Sequence, residues 1–320
     1  MKKRFKLFAT LGLGMSLFNA PMVQAEGEVP TYSEISKRAV ESSFNQIQTL
    51  DATGDFVFNA ILKTPEGQES QISVSGAGSL LFDALKLNFS AQGSGEYKIA
   101  SSGSESSGKA SVAAVILDNM AYLLTPTEGW QTKEIPADAR DEMRKGVEDV
   151  YKEYKENQAE YDAKFKKYEP LIDDLFDVKE EGRYYTVTFK ENLDVAAYME
   201  KNKALIEDFK AELKASAVAD GQSKEALDRA YRQIDELFTS ENIENFLKNT
   251  TISAEMAFHK ETFLPSRLAL LVKVDIAKLV EMPSDQVTPE TVLFTYDILI
   301  NKVNEPVEIT APDMTTKTAN

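Results

Sequence analysis

The residues able to do chemistry in this 320-residue chain are few: 52 Asp and Glu, one histidine and no cysteine. Without a thiol there is no cysteine nucleophile, no disulfide framework, no thiolate zinc site and no cysteine for a lipid anchor, and one imidazole cannot build a His-rich metal centre. His259 follows a run in which Ser253, Glu255 and Ala257 alternate with Met256 and Phe258, which places it on the polar side of a strand. No G-x-S-x-G elbow is present to supply it with an activated serine. Gly103-x-x-x-x-Gly108-Lys109 has phosphate-loop spacing, but Ala110 stands where Ser or Thr should hold magnesium, and the next element alternates like a strand instead of opening a helix. Asp173, Asp174, Asp177, Glu180 and Glu181 form the densest carboxylate cluster; without D-x-D-x-D-G spacing they read as a solvated face. The expectation is therefore a protein with no catalytic residue, no metal and no cofactor.

The elements around these residues define its class. Lys2, Lys3, Arg4 and Lys6, the apolar run Leu7 to Phe18 and the Val23-Gln24-Ala25 site read as a signal peptide at 1–25, cleaved after Ala25. That implies a secreted or periplasmic protein of residues 26–320, with no transmembrane segment. The net charge of −16, four units more negative without the leader, argues against nucleic acid and anionic membrane surfaces. Asn88-Phe89-Ser90 and Asn249-Thr250-Thr251 match glycosylation acceptors.

Periodicity predicts a helix over about 33–49, with Ile35, Ala39, Val40, Phe44 and Ile47 on one face. Strands follow: Phe56 to Leu62, Ile72 to Leu80, then Leu85, Leu87 and Phe89. A loop is expected over 101–108, and a hairpin turning at Asp118-Asn119. Residues 137–248 are more densely charged and dominated by helical spacing. A stripe of Val147, Tyr151, Tyr154, Gln158, Tyr161, Phe165 and Tyr168 predicts a helix ending before Pro170, whose seam is either core packing or, through Tyr151, Tyr154, Tyr161 and Phe165, a contact with an envelope protein. A second helix is expected from an Asn192 cap to near Gly221, a third from a Ser223 cap, and a short strand at Tyr185 to Phe189 between the first two helices. Strands return at Ile252 to Phe258, Leu268 to Ile276 and Val292 to Ile300. The economical arrangement joins them to the first strands in one antiparallel sheet with helices over its apolar face.

Several strings resemble the LolA/LppX-like bacterial envelope proteins, a superfamily of lipoprotein carriers and lipid-binding proteins. They are Val115-Ile116-Leu117-Asp118-Asn119-Met120-Ala121-Tyr122 with Glu128-Gly129-Trp130, the turn Phe258 to Pro265, and the closing Val303-Asn304-Glu305-Pro306-Val307-Glu308-Ile309-Thr310-Ala311-Pro312. The resemblance implies an α+β fold: a half-open antiparallel β-barrel, a curved sheet covered by helices, in a single domain with a charged helical insertion at about 137–248. It also implies a lipid, an acyl chain or a lipidated partner held in a hydrophobic cavity without catalysis. Alternation places Phe56, Phe58, Ile72, Val74, Leu85, Leu87, Leu270, Val272, Phe294 and Tyr296 toward that interior. The alternative is an envelope structural or interaction protein, or a stress sensor, acting through the helical segment.

Overall fold

The computed structural model describes residues 29–101, 104–216, 224–279 and 287–314, so the expected leader, Ser223 and Gly221 lie outside the described residues. The elements in chain order are α1 (Tyr32–Gln46), β1 (Thr49–Lys63), β2 (Glu69–Asp83), β3 (Asn88–Ser101), β4 (Ser104–Leu117), β5 (Met120–Thr125), β6 (Gly129–Glu134), α2 (Ala137–Asp173), β7 (Phe176–Glu181), β8 (Tyr184–Phe189), α3 (Val195–Lys201), α4 (Lys203–Ser216), α5 (Lys224–Leu237), α6 (Ser240–Lys248), β9 (Thr250–His259), β10 (Pro265–Asp275) and β11 (Thr288–Val303).

All eleven strands form one antiparallel sheet in the order β6-β5-β4-β3-β2-β1-β11-β10-β9-β8-β7. Neighbours in space are neighbours in sequence except at the centre, where β1 pairs with β11 and so joins the two ends of the chain. Asn304, at φ 60°, finishes that junction: its side-chain oxygen accepts from the Gln48 N–H at 2.7 Å, and its own N–H donates to the Thr49 carbonyl at 3.0 Å. The two edges, β6 and β7, do not pair, and the 37-residue α2 connects them. The architecture is therefore α+β, an open barrel-like curved sheet with helices, as expected.

α1 is stapled at its start. The Thr31 hydroxyl accepts from the Glu34 N–H while the Glu34 carboxylate accepts from the Thr31 N–H, a capping box. Asp173, at the end of α2, accepts from both the Ser33 N–H at 2.8 Å and the Ser33 hydroxyl at 2.7 Å. One carboxylate thus satisfies an N-terminal N–H of α1 and ties that helix to α2. The fully buried Ile35, with Tyr32 and Ala39, then packs on Val187, Met256 and Phe258 from β8 and β9 and on Phe263 from the β9–β10 turn. Burial pushes the Tyr32 hydroxyl up to about 12, and it donates to the Met256 sulfur at 3.6 Å.

Several boundaries differ from the sequence reading. β3 runs to Ser101 and β4 begins at Ser104, so Ser104 to Gly108, expected as loop, is strand, with Gly108 and Lys109 in register with Tyr97 and Glu96; Gly103 lies outside the described residues. The serines of this stretch and Gly108 serve the sheet, so the Gly108-Lys109 end of the phosphate-loop spacing lies within a strand. α2 continues through Pro170, because a proline near the end of a helix removes only one N–H, and the Asp174 N–H still reaches the Pro170 carbonyl at 3.2 Å. The carboxylate run includes an unforeseen strand, β7. The second helix is two: Asp194, not Asn192, caps α3, and α4 starts after Asn202, whose side chain donates to Asp174. Thr239 caps an additional α6. Residues 304–313 carry no strand, so the closing string Val303 to Pro312 mostly follows the sheet instead of extending it.

Replacing Asp173 with Ala strands two Ser33 donors and should lower unfolding free energy by about 2 kcal/mol. Urea denaturation measures this; an unchanged midpoint would show that the α1–α2 staple contributes nothing.

Candidate functional site

Strand register decides which side chains share a face. Val272, Phe294, Phe58 and Val74 are cross-strand neighbours in one row, Leu270, Tyr296, Phe56 and Gly76 in the next, and Val274, Val292, Ala60 and Ile72 in a third. Eight of the ten interior residues expected from alternation therefore lie together on one face. Leu268, Met256 and Val187 continue it toward α1, so this is the face the helix covers. Phe294 and Tyr296 bring their ring centroids to 5.9 Å.

Leu85 and Leu87 belong to no strand. The Asp83 carboxylate accepts from the Lys86 N–H at 3.1 Å and folds Ala84 to Leu87 into a turn, with Leu87 at φ 52°. Leu87 is buried there and Leu85 is 71% exposed. Alternation of three apolar residues could not distinguish this turn from a strand, because the deciding group is an aspartate side chain outside the pattern.

α1 covers only the β7–β10 part of the inner face. Across β1–β5, Phe56, Leu80, Tyr97, Ile99, Val112 and Leu123 stay exposed. Between Phe56, Val74, Tyr97 and Val112 lies an open trough of about 480 Å³ whose floor is Gly78, Gly93, Gly95 and Ala110. Tyr97 was missed as a site residue because glycines at 93 and 95 interrupt the apolar alternation of its strand, and the alternation of Tyr97 and Ile99 with Glu96 and Lys98 was the available signal; Val112, at the start of the expected hairpin strand, was not assigned to the interior.

The glycines make the curvature. Gly54, Gly78 and Gly93 pair in one cross-strand row and Gly76 with Gly95 in the next. A Cβ on Gly78 would meet the Gln92 carbonyl oxygen at 2.7 Å, and one on Gly95 the Ser75 carbonyl oxygen at 2.9 Å. Strands come together there more closely than any side chain allows, as at a barrel corner. On Gly76 and Gly108 the Cβ position is occupied instead by the rings of Phe56 and Tyr97, each 2.6 Å away, so both rings lie down against the sheet.

The opposite face carries an ion cluster. Arg267 donates to both oxygens of Asp297, at 3.0 and 2.6 Å, and to Glu255 at 2.6 Å, linking β9, β10 and β11. The chemistry-bearing residues of the sequence are occupied elsewhere. His259 rests against the Tyr184 ring at 4.7 Å, and burial together with Arg183 holds its pKa below the usual imidazole value. Asp174 accepts from Lys201 and Asn202, and Glu180 pairs with Lys260. A second cleft of about 410 Å³ between α1 and α2 mixes Glu34, Lys37, Arg38, Lys166 and Glu169; burial and the nearby Asp173 raise the Glu169 pKa. Tyr154 and Phe165, taken above as contacts for a protein partner, are 5% and 9% exposed within the chain itself. Asn88 is buried and accepts from the Asp118 N–H at 2.8 Å, so the folded chain offers no glycan acceptor there.

No family model and no curated protein matches the chain. Among solved structures, it is similar to a β-barrel-like protein of domain of unknown function DUF1849 from Brucella abortus, at 7% identity and TM-score 0.16, covering 80% of this chain and 98% of that one. It is also similar to Pseudomonas aeruginosa OccK7 (OpdD), at 5% identity and TM-score 0.14, covering 71% and 53% respectively. No described helix is long and apolar enough to cross a membrane.

The Arg267 guanidinium beside Asp297 holds that carboxyl below its ordinary 3.8. A depressed carboxyl stabilises the fold above its unfolded pKa, and the contribution is lost as pH falls through the folded value. Arg267→Met should therefore destabilise at pH 7, by at most about 1 kcal/mol after solvent screening, and the deficit should shrink as pH drops below 3.8. Paired melts at pH 7 and pH 2.5 test it; a deficit independent of pH would assign the loss to packing.

Proposed function

We propose that this protein is an extracytoplasmic, non-catalytic carrier or sensor that binds a lipid or a lipidated partner on the uncovered part of its inner sheet face. The supporting observation is the trough over Gly78, Gly93 and Gly95, walled by Phe56, Val74, Tyr97 and Val112, on a face left bare by α1. A contiguous exposed apolar surface is unusual on a soluble chain and marks a binding site. A hydrocarbon ligand seated there gains ~0.8 kcal/mol per buried CH₂. The half-open sheet with helices on one face agrees with the LolA/LppX-like resemblance of the hairpin strings, and the signal-peptide pattern at 1–25 agrees with an envelope location.

Native mass spectrometry with organic extraction of detergent-free protein from its own host is the direct test. A stoichiometric lipid is the expected result; protein free of lipid that also takes up none when it is added would end the reading. Val112→Asp puts a charge on the trough wall at a side chain 54% exposed, so it should cost about 1 kcal/mol of stability or less. It should nevertheless weaken binding of a fluorescent lipid at least tenfold; unchanged affinity would place the ligand elsewhere.

A further inference from the structure

Most glycines of the trough are required by the backbone, but Gly93 is not. A Cβ on Gly78 or Gly95 would strike a neighbouring carbonyl oxygen at 2.7 or 2.9 Å, and one on Gly54 would come within 3.1 Å of the Asp297 carbonyl oxygen. A Cβ on Gly93 would meet only the Ala77 carbonyl oxygen, at 3.5 Å, which is ordinary contact, and its φ is not in the left-handed region. Glycine in a strand interior weakens the strand, since it packs nothing and loses the most backbone freedom. The fold by itself therefore favours a side chain at Gly93, and its absence serves the empty space above.

That space is broad and shallow. From Phe56 on β1 to Val112 on β4 there are three strand spacings, about 14 Å. From Gly93 to Tyr97 along β3 is about 13 Å. Within this frame Gly78, Gly93, Gly95 and Ala110 project little or nothing, and the Phe56 and Tyr97 rings lie flat at its margins over Gly76 and Gly108. An alkyl chain is a rod about as wide as one inter-strand spacing, and a groove between two rows of ordinary side chains holds it. A patch several spacings across fits a plate instead. Charge narrows the choice further: no Lys or Arg lines the trough, and the carboxylate of Glu96 alternates to the opposite face, where it pairs with Lys109 at 3.5 Å, on a chain of net charge −16. A ligand carboxylate or phosphate would find no counter-ion.

We propose that Gly93 is a specificity-determining residue that keeps this floor open for a neutral, rigid, fused-ring lipid, in preference to an anionic single-chain lipid. The inference rests on the lipid-binding reading above. The full chain is titrated with two probes, the intrinsically fluorescent sterol dehydroergosterol for the fused-ring class and cis-parinaric acid for the anionic chain. The sterol should bind at least tenfold more tightly. Gly93→Leu should weaken the sterol at least tenfold and change the chain probe less than threefold, with a thermal midpoint equal to or above that of the parent. Should Gly93→Leu not fold, Ala110→Leu raises the same floor from β4 and takes its place. Chain binding as tight as sterol binding, or equal losses of both probes in the variant, would overturn the fused-ring assignment and leave lipid binding standing. Binding of neither probe by the parent protein would count against the lipid reading itself and take this inference with it.

Discussion

A 15-residue α-helix is about 22 Å long, whereas an eleven-stranded sheet is about 48 Å across at the ordinary strand spacing, so α1 can bury only part of the face it packs on. Everything distinctive about the molecule follows from where that one helix is fixed. The Thr31–Glu34 capping box and the double acceptance by Asp173 hold its N-terminus at the end of α2. Ile35 and Ala39 then commit it to β8 and β9. The strands at the other side of the sheet keep an apolar face that α1 does not reach.

The sheet manages that exposure through its shape. Packing strands as closely as Gly78 does against Gln92 bends the sheet tightly, and curvature turns an exposed plane into a recess. Phe56 and Tyr97 fold down over neighbouring glycines, which reduces the apolar area each presents to water without burying either. The outer face carries the ion cluster of Glu255, Arg267 and Asp297, so the two faces differ in chemistry as well as in curvature. The sheet's open edges, β6 and β7, are short, with charged Lys133 and Glu134 on one and Asp177, Lys179, Glu180 and Glu181 on the other, a composition that discourages pairing between molecules.

The charged middle of the chain is less separate than its composition implies. β7 and β8 within it belong to the sheet, and β8 pairs with β9. α4 is tied to α2 through the Tyr168–Phe209 ring contact at 5.6 Å and through Lys167 with Asp208 and Glu212. Charge density there reports amphipathic helices with one solvated face, and the tyrosine stripe of α2 supplies their packing at Tyr154 and Phe165.

Alternation in the sequence determined the strands β1, β2, β9, β10 and β11 and the common face of Phe56, Phe58, Ile72, Val74, Leu270, Val272, Phe294 and Tyr296. Period-2 patterning is a local consequence of the pleat, so it survives without knowledge of any partner strand. It failed where a single polar group decides the geometry: at Leu85 and Leu87, bent by Asp83, and at Asn202, where the second helix divides. It also failed where glycine removes the pattern, across β3 and the start of β4. Only the tertiary structure decided that β1 meets β11, that α1 lies over one side of the sheet, and that Phe56, Tyr97 and Val112 border an open trough. Those facts depend on contacts between separate elements, from tens to more than 200 positions apart, and no periodicity within a segment records which distant surface will cover it, or which will be left bare.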